Sequence, residues 1–453
     1  MNFSDINGKN ITVLGAERSG IAAAKLILKL GGIPFVSDIS ADDKMSSRIA
    51  ELTALDIEFE LGNHSERVYN AEYIVVSPGI PSDAYVLARA AELGVPVISE
   101  VEFAFNFCKG KVIAITGTNG KTTTTSLVQH ILKTAGLNSF AVGNIGNAFS
   151  ESVLDDSSDK YFVLEVSSFQ LDHIVNFKPD SAVILNITPD HLNRYNNDMK
   201  IYAASKYGIF KNMDENGTLV INADDNLLVD DYIHTTANLQ KFSLKEKVLN
   251  GAFIKDKNIV FAAEGKELFF FPVEQLLISG MHNVANAMAA VISVLPFVND
   301  YALISRALRS FPGVEHRLEL VKTINGVKYV NDSKATNVDS VFVALQSFDT
   351  PILLILGGKD KGNDYSVIHD LVQNKVIKIF AIGESAEKVF KYFHKIVKTE
   401  IKRDLAEVLE SANSEARKGE VVLFSPACAS FDMFDNYEHR GKVFKQEIER
   451  IAK

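Results

Sequence analysis

Short runs of apolar, mostly β-branched residues alternate along the chain with longer stretches in which apolar residues recur at helical spacing. This alternation is typical of an α/β protein, in which helices connect the strands of a largely parallel sheet. Glycine and proline pairs separate many of the runs, as expected for turns. The strands predicted from this pattern are 11–14, 34–37, 73–76, 97–99, 112–115, 161–166, 182–187, 327–330, 352–356, 379–382 and 421–424.

The same pattern divides the chain into three parts. Alternating apolar and polar residues with turn signals predict a small β-meander over 241–271, and Phe311-Pro312-Gly313 predicts a linker. A chain of 453 residues has room for about three domains of ~150 residues. We therefore predict domains at 1–107, 108–311 and 312–453. Helices are predicted near 85–93 and at 127–135, 198–210 and 281–295.

The stretch KVIAITGTNGKTTTTS, residues 111–126, predicts a phosphate-binding loop between a buried strand and a helix. Its glycines let main-chain N–H groups approach phosphate oxygens, and the start of the helix adds positive potential. Lys121 can reach the β- and γ-phosphates, and the Thr122 hydroxyl can ligate Mg²⁺. The usual spacing G-x-x-x-x-G-K-[ST] is not met, because Ile115 stands in place of the first glycine. A simple glycine turn between strand and helix remains the alternative.

Two further side chains are expected to converge on this loop. Glu165 lies near the end of one predicted strand, and His191 follows another in the segment Thr188-Pro189-Asp190-His191. Ligands of open parallel sheets sit beyond the carboxyl ends of the strands, so both side chains would approach Lys121. Taken singly, such residues are more often turn or structural residues, but together they predict a metal–phosphate site. Lys206 lies on a predicted helix, where a lysine is usually a solvated surface residue.

The N-terminal βαβ pattern resembles a dinucleotide fold but has a broken fingerprint. Gly15-Ala16-Glu17-Arg18-Ser19-Gly20 follows the first predicted strand, and Glu17 replaces the glycine that lets a pyrophosphate approach. The pattern therefore does not predict NAD. Asp38, at the end of the second strand, is equally compatible with holding a ribose or uracil and with stabilising the strand-end turn.

Composition narrows the class of protein. The net charge of −10, without a basic stripe, argues against a nucleic-acid partner. The two cysteines, Cys108 and Cys428, do not form a disulfide framework or a CxxC metal motif. The N-terminus lacks a signal-peptide pattern, and no run approaches the ~18 apolar residues of a membrane span. We therefore expect a cytoplasmic α/β protein with no membrane span.

Taken together, the motifs resemble the Mur ligase family of the bacterial peptidoglycan pathway. They are TGTNGKTT, NIGN, LEVSSFQ, DHLNRY, AASK, HNVAN, EHR and NDSKATN, in the family's order. Within the family, LEVSSFQL, NDSKATN and SPACASFDMF resemble the members that add D-glutamate to UDP-N-acetylmuramoyl-L-alanine. The alternatives are a ligase for another amino acid, such as a sibling Mur ligase or folylpolyglutamate synthase, and a catalytically idle nucleotide-binding module.

This resemblance implies a three-domain fold and an ATP-dependent reaction. The domains are a Rossmann-like N-terminal domain for the UDP-sugar, a central P-loop-type ATPase domain with a parallel sheet, and a Rossmann-like C-terminal domain contacting D-glutamate and nucleotide. ATP would phosphorylate the substrate carboxylate to an acyl phosphate, which the D-glutamate amine then attacks. Positive charge must offset the repulsion between the carboxylate and the γ-phosphate. We expect the enzyme to act as a monomer.

The resemblance also implies roles for individual residues. Lys121, His191, Lys206 and Asn144 would be catalytic, and two Mg²⁺ ions would be held by Thr122, Glu165, His191 and a carbamylated Lys206, whose oxygens suit a hard cation. The nucleotide would contact Gly117, Thr118, Asn119, Gly120, Lys121, Thr122, Thr123, Asn283, Asn286, Arg317 and Asp332. The substrates would contact Ser19, Asp38, Ser77, Gly79, Asn144, Ser167, Gln170, Lys334, Thr336, Lys361, Ser430 and Tyr437.

Overall fold

The computed structural model describes residues 3–41, 46–155, 157–360 and 362–452. The chain divides into two compact units. The first two predicted domains fall together in the first unit, and the third predicted domain forms nearly all of the second. The units comprise Met1–Leu277 with His282–Phe311, and Ile278–Met281 with Pro312–Lys453.

The first unit begins with a five-stranded parallel sheet in the order β3-β2-β1-β4-β5. Its inner strands β1 and β4 are almost wholly buried, which explains their continuous apolar sequences. The helix α1 buries a face of small and branched residues against this sheet. The elements are β1 (Asn10–Leu14), α1 (Arg18–Lys29), β2 (Ile33–Asp38), α2 (Ser46–Ala54), β3 (Glu58–Leu61), β4 (Tyr73–Val76), α3 (Tyr85–Glu92), β5 (Val97–Ser99) and α4 (Glu100–Phe105).

A second, nine-stranded sheet follows in the same unit, in the order β14-β13-β12-β11-β10-β9-β6-β8-β7. In this order, the strands from β12 through β6 to β7 are all parallel, and helices connect most of them along the chain. The first part of this domain comprises β6 (Lys111–Thr116), α5 (Lys121–Thr134), β7 (Asn138–Gly143), α6 (Phe149–Val153), β8 (Lys160–Glu165), α7 (Ser168–Leu171), β9 (Ser181–Ile184) and α8 (Met199–Tyr207). The remainder comprises β10 (Thr218–Asn222), β11 (Asn238–Ser243), β12 (Gly251–Lys255), β13 (Asn258–Ala263), β14 (Lys266–Pro272), α9 (Met281–Val294) and α10 (Tyr301–Ser310).

The predicted meander needs a correction. β12, β13 and β14 do pair antiparallel, but β11 pairs parallel to both β10 and β12. The meander is therefore the outer edge of the nine-stranded sheet and begins after residue 250. The predicted strand 182–187 also ends early, at Ile184, because Leu185 to Thr188 form the loop that packs against residues 117–119.

Buried carboxylates connect the two sheets of the first unit. Glu102 of α4 is fully buried and accepts hydrogen bonds from the main-chain N–H groups of Val175, Asn176 and Phe177 at 2.9–3.0 Å. Glu100 on the same helix accepts from the Ser150 N–H at 2.6 Å. Buried carboxylates are tolerated when such donors surround them. The helix α4 therefore joins the N-terminal sheet to the central sheet as a fixed element.

The second unit contains a six-stranded sheet in the order β15-β16-β20-β17-β18-β19. Only β15 is antiparallel to its neighbour among these strands of the described chain. No helix in the described ranges is long and apolar enough to cross a membrane. The elements are β15 (Glu319–Ile324), β16 (Val327–Asn331), α11 (Val338–Gln346), β17 (Ile352–Gly357), α12 (His369–Lys375), β18 (Val376–Ile382), α13 (Ala386–Phe393), β19 (Lys398–Ile401), α14 (Leu405–Glu415), β20 (Val421–Phe424) and α15 (Tyr437–Ile451).

Candidate active site

The loop Gly117–Gly120 connects β6 to α5 at the carboxyl end of the central sheet. Gly117 (φ 151°) and Gly120 (φ 86°) both have backbone conformations that favour glycine. A Cβ at Gly120 would lie 2.4 Å from Asn286 Oδ1, so the loop also requires glycine for space. Lys121 is the first residue of α5, where the N-terminal end of the helix attracts an anion. The geometry matches the predicted phosphate loop.

The Lys121 amine lies over this loop. Its Nζ donates to the carbonyls of Gly117 at 2.7 Å and Thr118 at 2.8 Å. The adjacent Thr122 and Thr123 are buried in the first turn of α5. A lysine held above the glycines is positioned to meet the outer phosphates of a nucleotide.

The loop is held in place by the segment that follows β9, which sequence reasoning missed. Asn186 Oδ1 accepts from the Asn119 N–H at 2.8 Å, and Asn186 Nδ2 donates to the Asn119 carbonyl at 3.1 Å. The Thr118 hydroxyl donates to the Thr188 carbonyl and lies 3.2 Å from the Tyr202 hydroxyl. Its position was the one signal available in the sequence. Asn186 lies just beyond the end of β9, which neighbours β6 in the sheet, so its side chain could be expected near the phosphate loop.

Glu165 and Asn144 form a pair beside the loop. Glu165 ends β8, directly opposite Ile115 of β6, and is buried. Asn144 Nδ2 donates to Glu165 Oε1 at 2.9 Å, while Glu165 Oε2 is buried and has no hydrogen-bond partner in the described chain. A buried carboxylate oxygen without a partner is costly, and a cation would satisfy it. Glu165 therefore fits a Mg²⁺ ligand.

Lys206 is a buried lysine, not the solvated surface lysine that is usual on a helix. It lies on α8 and is 1% exposed, and its Nζ donates to the Gly117 carbonyl at 3.1 Å. Burial, followed by the positive charge of Lys121, lowers the pKa of Lys206 to about 7, although Asp190 and Asp172 oppose the shift. The structure thus brings two lysines to one phosphate loop.

His191 is the most exposed of the predicted metal ligands. Its side chain is 59% exposed, its Nε2 lies 3.7 Å from Asp190 Oδ2, and its ring packs edge-on against Phe169. Its backbone is left-handed (φ 51°), a strained conformation that often occurs at functional sites. Within the described ranges no three His, Cys, Asp or Glu side chains form a ready metal site. A metal here would need hydroxyl or modified lysine oxygens as well.

Asn283 and Asn286, in the first two turns of α9, are buried and hydrogen-bonded to each other. Asn286 Nδ2 donates to Asn283 Oδ1 at 3.1 Å, and Asn286 packs against Gly120. Both residues therefore lie beside the phosphate loop. Whether they also contact a base, as the resemblance implies, stays a prediction.

The predicted UDP-binding residues gather at the carboxyl end of the N-terminal sheet. A Cβ at Gly15 would lie 2.8 Å from Ser77 Oγ, and this buried hydroxyl has no partner in the described chain. Asp38 accepts from the Ala16 N–H at 2.6 Å and the Ser40 N–H at 2.8 Å and so stabilises this turn, while its contact with the substrate stays a prediction. Ser19 lies in the first turn of α1, and Gly79 is exposed in the turn after β4.

Ser167 and Gln170 have a structural role at the start of α7. The Ser167 N–H donates to Gln170 Oε1 at 2.9 Å while the Ser167 side chain accepts from the Gln170 N–H, which forms a capping box, and the Ser167 hydroxyl also donates to Gln170 Oε1 at 3.0 Å. Ser167 is half-buried and Gln170 is buried. The capping contacts explain their residue types without a ligand, and substrate contact stays a prediction.

The second unit contains its own cluster of predicted residues. Asp332 accepts from the Ser425 hydroxyl at 2.7 Å and the Leu318 N–H at 3.2 Å, and burial raises its pKa to about 6. Arg317 Nε is buried and without a partner among the described residues. Asp332 and Arg317 are close enough for the arginine's charge to oppose the shift.

The NDSKATN and SPACAS segments, which carry several of the predicted D-glutamate residues, meet at one buried arginine. Lys334 Nζ lies 5.6 Å from the centre of the Tyr437 ring, Ser430 is buried, and Thr336 is half-buried. Arg440, which sequence reasoning missed, donates to the Ser333 hydroxyl and carbonyl and to the Cys428 carbonyl at 2.7–3.0 Å. Arg440 thereby holds NDSKATN against SPACAS. Lys361 lies outside the described residues.

The fold and the loop define a nucleotide-binding α/β protein with three domains. Residues 9–99, 115–294 and 316–428 match, respectively, the N-terminal domain described as Mur ligase MurD-like, the Mur ligase middle domain, and the Mur ligase glutamate ligase domain. The chain belongs to the Mur ligase family. The predicted fold class and family are confirmed.

Two bacterial relatives show the extent of this similarity. The UDP-N-acetylmuramoylalanine–D-glutamate ligase of Chloroherpeton thalassium is 40% identical over 468 residues, covering 99% of each chain. The ligase of the same name from Christiangramia forsetii is 44% identical over 450 residues, covering 98% of this chain and 100% of that one. The solved UDP-N-acetylmuramate–alanine ligase of Thermotoga maritima, 20% identical, shares the fold with a TM-score of 0.62, covering 98% of this chain and 100% of that one.

Proposed function

We propose that this chain is an ATP-dependent ligase that joins the carboxylate of UDP-N-acetylmuramoyl-L-alanine to the amine of D-glutamate. The names of the two bacterial relatives supply the substrates. The observation that carries the proposal is Lys206, a buried second amine 3.1 Å from the carbonyl of Gly117. Its pKa, lowered to about 7, leaves part of this amine neutral and able to form a carbamate, while Lys121 supplies the positive charge that a carboxylate needs to approach a γ-phosphate.

The chain's own residues account for the first step. The start of α5 and Lys121 hold the phosphates, which offsets the charge that the substrate carboxylate must approach. The carboxylate attacks the γ-phosphorus and ADP leaves, giving an acyl phosphate. The amine of D-glutamate then attacks the acyl carbon, and phosphate leaves. We propose that Asn144, which donates to Glu165, orients the reacting carboxyl group.

The metal donors fit this chemistry. We propose that Thr122 and Glu165 bind one Mg²⁺, because Glu165 Oε2 has no hydrogen-bond partner among the residues that the structure describes. His191 and a carbamylated Lys206 would bind a second, since a carbamate converts an amine into an oxygen ligand. Bound Mg²⁺ supplies positive charge that neutralises the phosphate oxygens.

We assign one ligand to each of the three predicted domains. We propose residues 1–107 for the UDP-sugar, 108–311 for ATP and 312–453 for D-glutamate and part of the nucleotide. The partnerless Ser77 hydroxyl beside Gly15 supports an anionic or sugar ligand at the first sheet. We also propose that the enzyme acts in the cytoplasm as a monomer.

The experiment is product analysis with competing amino acids. The chain is incubated with ATP, Mg²⁺, UDP-N-acetylmuramoyl-L-alanine and, separately, D-glutamate, L-glutamate, L-alanine, L-lysine or meso-diaminopimelate. We expect amide product with D-glutamate only, with one ADP and one phosphate released per amide. Lys121→Ala should abolish this release, while Lys133→Ala, at the far end of α5, should not. Preferential turnover of another amino acid would contradict the proposal.

The carbamate has its own test. Lys206→Ala should lose at least about a hundredfold in kcat, and added formate or acetate should restore part of the activity by supplying a carboxylate to the space. Lys200→Ala, an exposed lysine on α8, is the control. Full activity of Lys206→Ala, or a loss of activity that no carboxylate relieves, would count against the carbamate. Neither result would contradict the proposal that the wild-type chain forms the amide.

A further inference from the structure

One arginine of the central domain donates hydrogen bonds to the turn that follows β4 in the N-terminal domain. Arg194 lies in the short 3₁₀ turn Leu192–Tyr195, immediately after His191. Its Nη1 donates to the Pro78 carbonyl at 3.4 Å, and its Nη2 donates to the Ile80 carbonyl. The turn itself is closed by a hydrogen bond from the Ile80 N–H to the Ser77 carbonyl at 3.1 Å. The guanidinium thus holds both sides of the turn.

The same guanidinium stacks on an aromatic ring of the central domain. Its central carbon lies 3.8 Å from the centre of the Phe169 ring. The Phe169 ring meets the His191 ring edge-on at 5.3 Å and stacks with the Tyr195 ring at 6.1 Å. Phe169 belongs to α7, between Ser167 and Gln170. One side chain therefore touches the Ser77–Ile80 turn and the α7 segment, and it is three residues from His191.

The chemistry of these contacts explains why an arginine stands here. Both acceptors are neutral main-chain carbonyls, so the side chain is not simply balancing a carboxylate. A planar guanidinium can donate to two oxygens in its plane while an aromatic ring covers its face. A lysine has one nitrogen and no planar face, so it cannot reproduce all three contacts. Arg194 is half-buried, which keeps the arrangement partly shielded from water.

We propose that Arg194 is a positioning residue for the UDP-linked substrate. It fixes the Ser77–Ile80 turn relative to α7 and His191, so that a substrate held at the turn extends its carboxylate toward the phosphate loop in one orientation. The inference rests on the proposed function and deepens it. Arg194 itself contacts the turn, and its effect on the substrate is transmitted through that turn.

The test separates binding of the UDP-substrate from binding of ATP. Arg194→Lys keeps the positive charge on one donor nitrogen but loses the planar fork, and Arg194→Met keeps only the bulk of the stem. In the full-length chain we expect the KM for UDP-N-acetylmuramoyl-L-alanine to rise about tenfold in the lysine variant and further in the methionine variant. The KM for ATP should stay within about twofold, because the side-chain hydrogen bonds that hold the phosphate loop in the described chain run to Asn186, Thr188 and Lys206 and not to this turn.

Arg309→Lys is the matched control. Its guanidinium also lies over a phenylalanine, 5.5 Å from the Phe271 ring centre, and donates to Gln275 at 2.7 Å, but it sits on α10 away from the turn. We expect its kinetic constants to equal those of the wild type. Thermal unfolding of each variant is measured alongside, and the lysine variant carries the test if the methionine variant does not fold.

The outcomes are distinguishable. An unchanged KM for the UDP-substrate in the folded variants would overturn the inference, as would equal rises in the KM for ATP and for the UDP-substrate. A lower unfolding temperature with unchanged kinetic constants would also overturn it, because that is the result of a purely structural arginine. A wild-type chain that forms no amide with D-glutamate would instead contradict the proposed function.

Discussion

The side chain of Asn186 is bound to the main chain of Asn119 through both ends of its amide. Asn186 Oδ1 accepts from the Asn119 N–H at 2.8 Å, and Asn186 Nδ2 donates to the Asn119 carbonyl at 3.1 Å. Asn119 lies at the middle of the phosphate loop, where the direction of the peptide groups decides which of them face a phosphate. Asn186 thus fixes a loop whose residue types alone would permit several conformations.

Asn186→Ala should weaken ATP binding. Each hydrogen bond contributes about 1 kcal/mol, so losing both should raise the KM for ATP by about thirtyfold, with little change in the KM for D-glutamate. Steady-state kinetics with each substrate varied in turn measure this. Asn212→Ala is the control, because Asn212 also makes two side-chain bonds, to the carbonyls of Val175 and Phe177, away from the loop. An equal KM for ATP in both variants would show that ATP binding does not depend on the two hydrogen bonds of Asn186.

Glu165→Gln should weaken the binding of Mg²⁺ while the protein still folds. Glutamine keeps an oxygen that can accept from Asn144 but replaces a charged metal ligand with a neutral amide. We expect the Mg²⁺ concentration for half-maximal activity to rise at least about tenfold, and Mn²⁺ binding followed by electron paramagnetic resonance to weaken in parallel.

The control for this change is Glu151→Gln, an exposed carboxylate on α6. It should leave the metal dependence unchanged. If Glu165→Gln binds Mn²⁺ as tightly as the wild type does, Glu165 is not a metal ligand, and its burial has to be explained by Asn144 alone.

Most inner strands were predicted, because burial on both faces leaves an unmistakable apolar run, as in β4 and β17, although the buried inner strand β10 was missed. Several edge strands escaped prediction, although the edge strand β5 was predicted. β3 has the sequence EFEL and β19 has KTEI, whose charged residues at sheet edges do not stand out from loops. Both strands depend on a neighbour that local sequence does not reveal.

The candidate site was predictable only where a motif carried the chemistry. The phosphate loop, Glu165 and His191 follow from strand ends and glycine spacing, whereas Lys206 required a resemblance, since helical periodicity does not predict a buried lysine. Asn186, Arg194 and Arg440 act through distant main-chain atoms. Such contacts join segments far apart in the chain, so no local pattern signals them.

Glu102→Gln should destabilise the first unit. The carboxylate is fully buried and accepts from three consecutive main-chain N–H groups, and an amide would turn a donor toward at least one of them. Hydrogen bonds to a charged group contribute more than neutral ones, so we expect a loss of about 2–3 kcal/mol. Circular dichroism in a urea titration measures it, because the chain has no tryptophan. Glu92→Gln, an exposed partner of Arg89, should leave the midpoint unchanged.

Lys206→Met should stabilise the protein, and by more at pH 6 than at pH 9. The pKa of Lys206 is about 7 in the folded chain and near 10.5 when unfolded. Between these values the unfolded chain binds one more proton, so folding stability rises with pH, and the cost of burying the cation is largest below pH 7.

The measurement is the difference in unfolding temperature between Lys206→Met and the wild type, by calorimetry in bicarbonate-free buffer without ligands. We expect a positive difference that shrinks steadily from pH 6 to pH 9. Lys200→Met, on the solvent side of α8, should show no such trend. Groups that titrate elsewhere change both proteins alike and cancel in the difference. A difference independent of pH would mean that Lys206 keeps its ordinary pKa despite its burial beside Lys121.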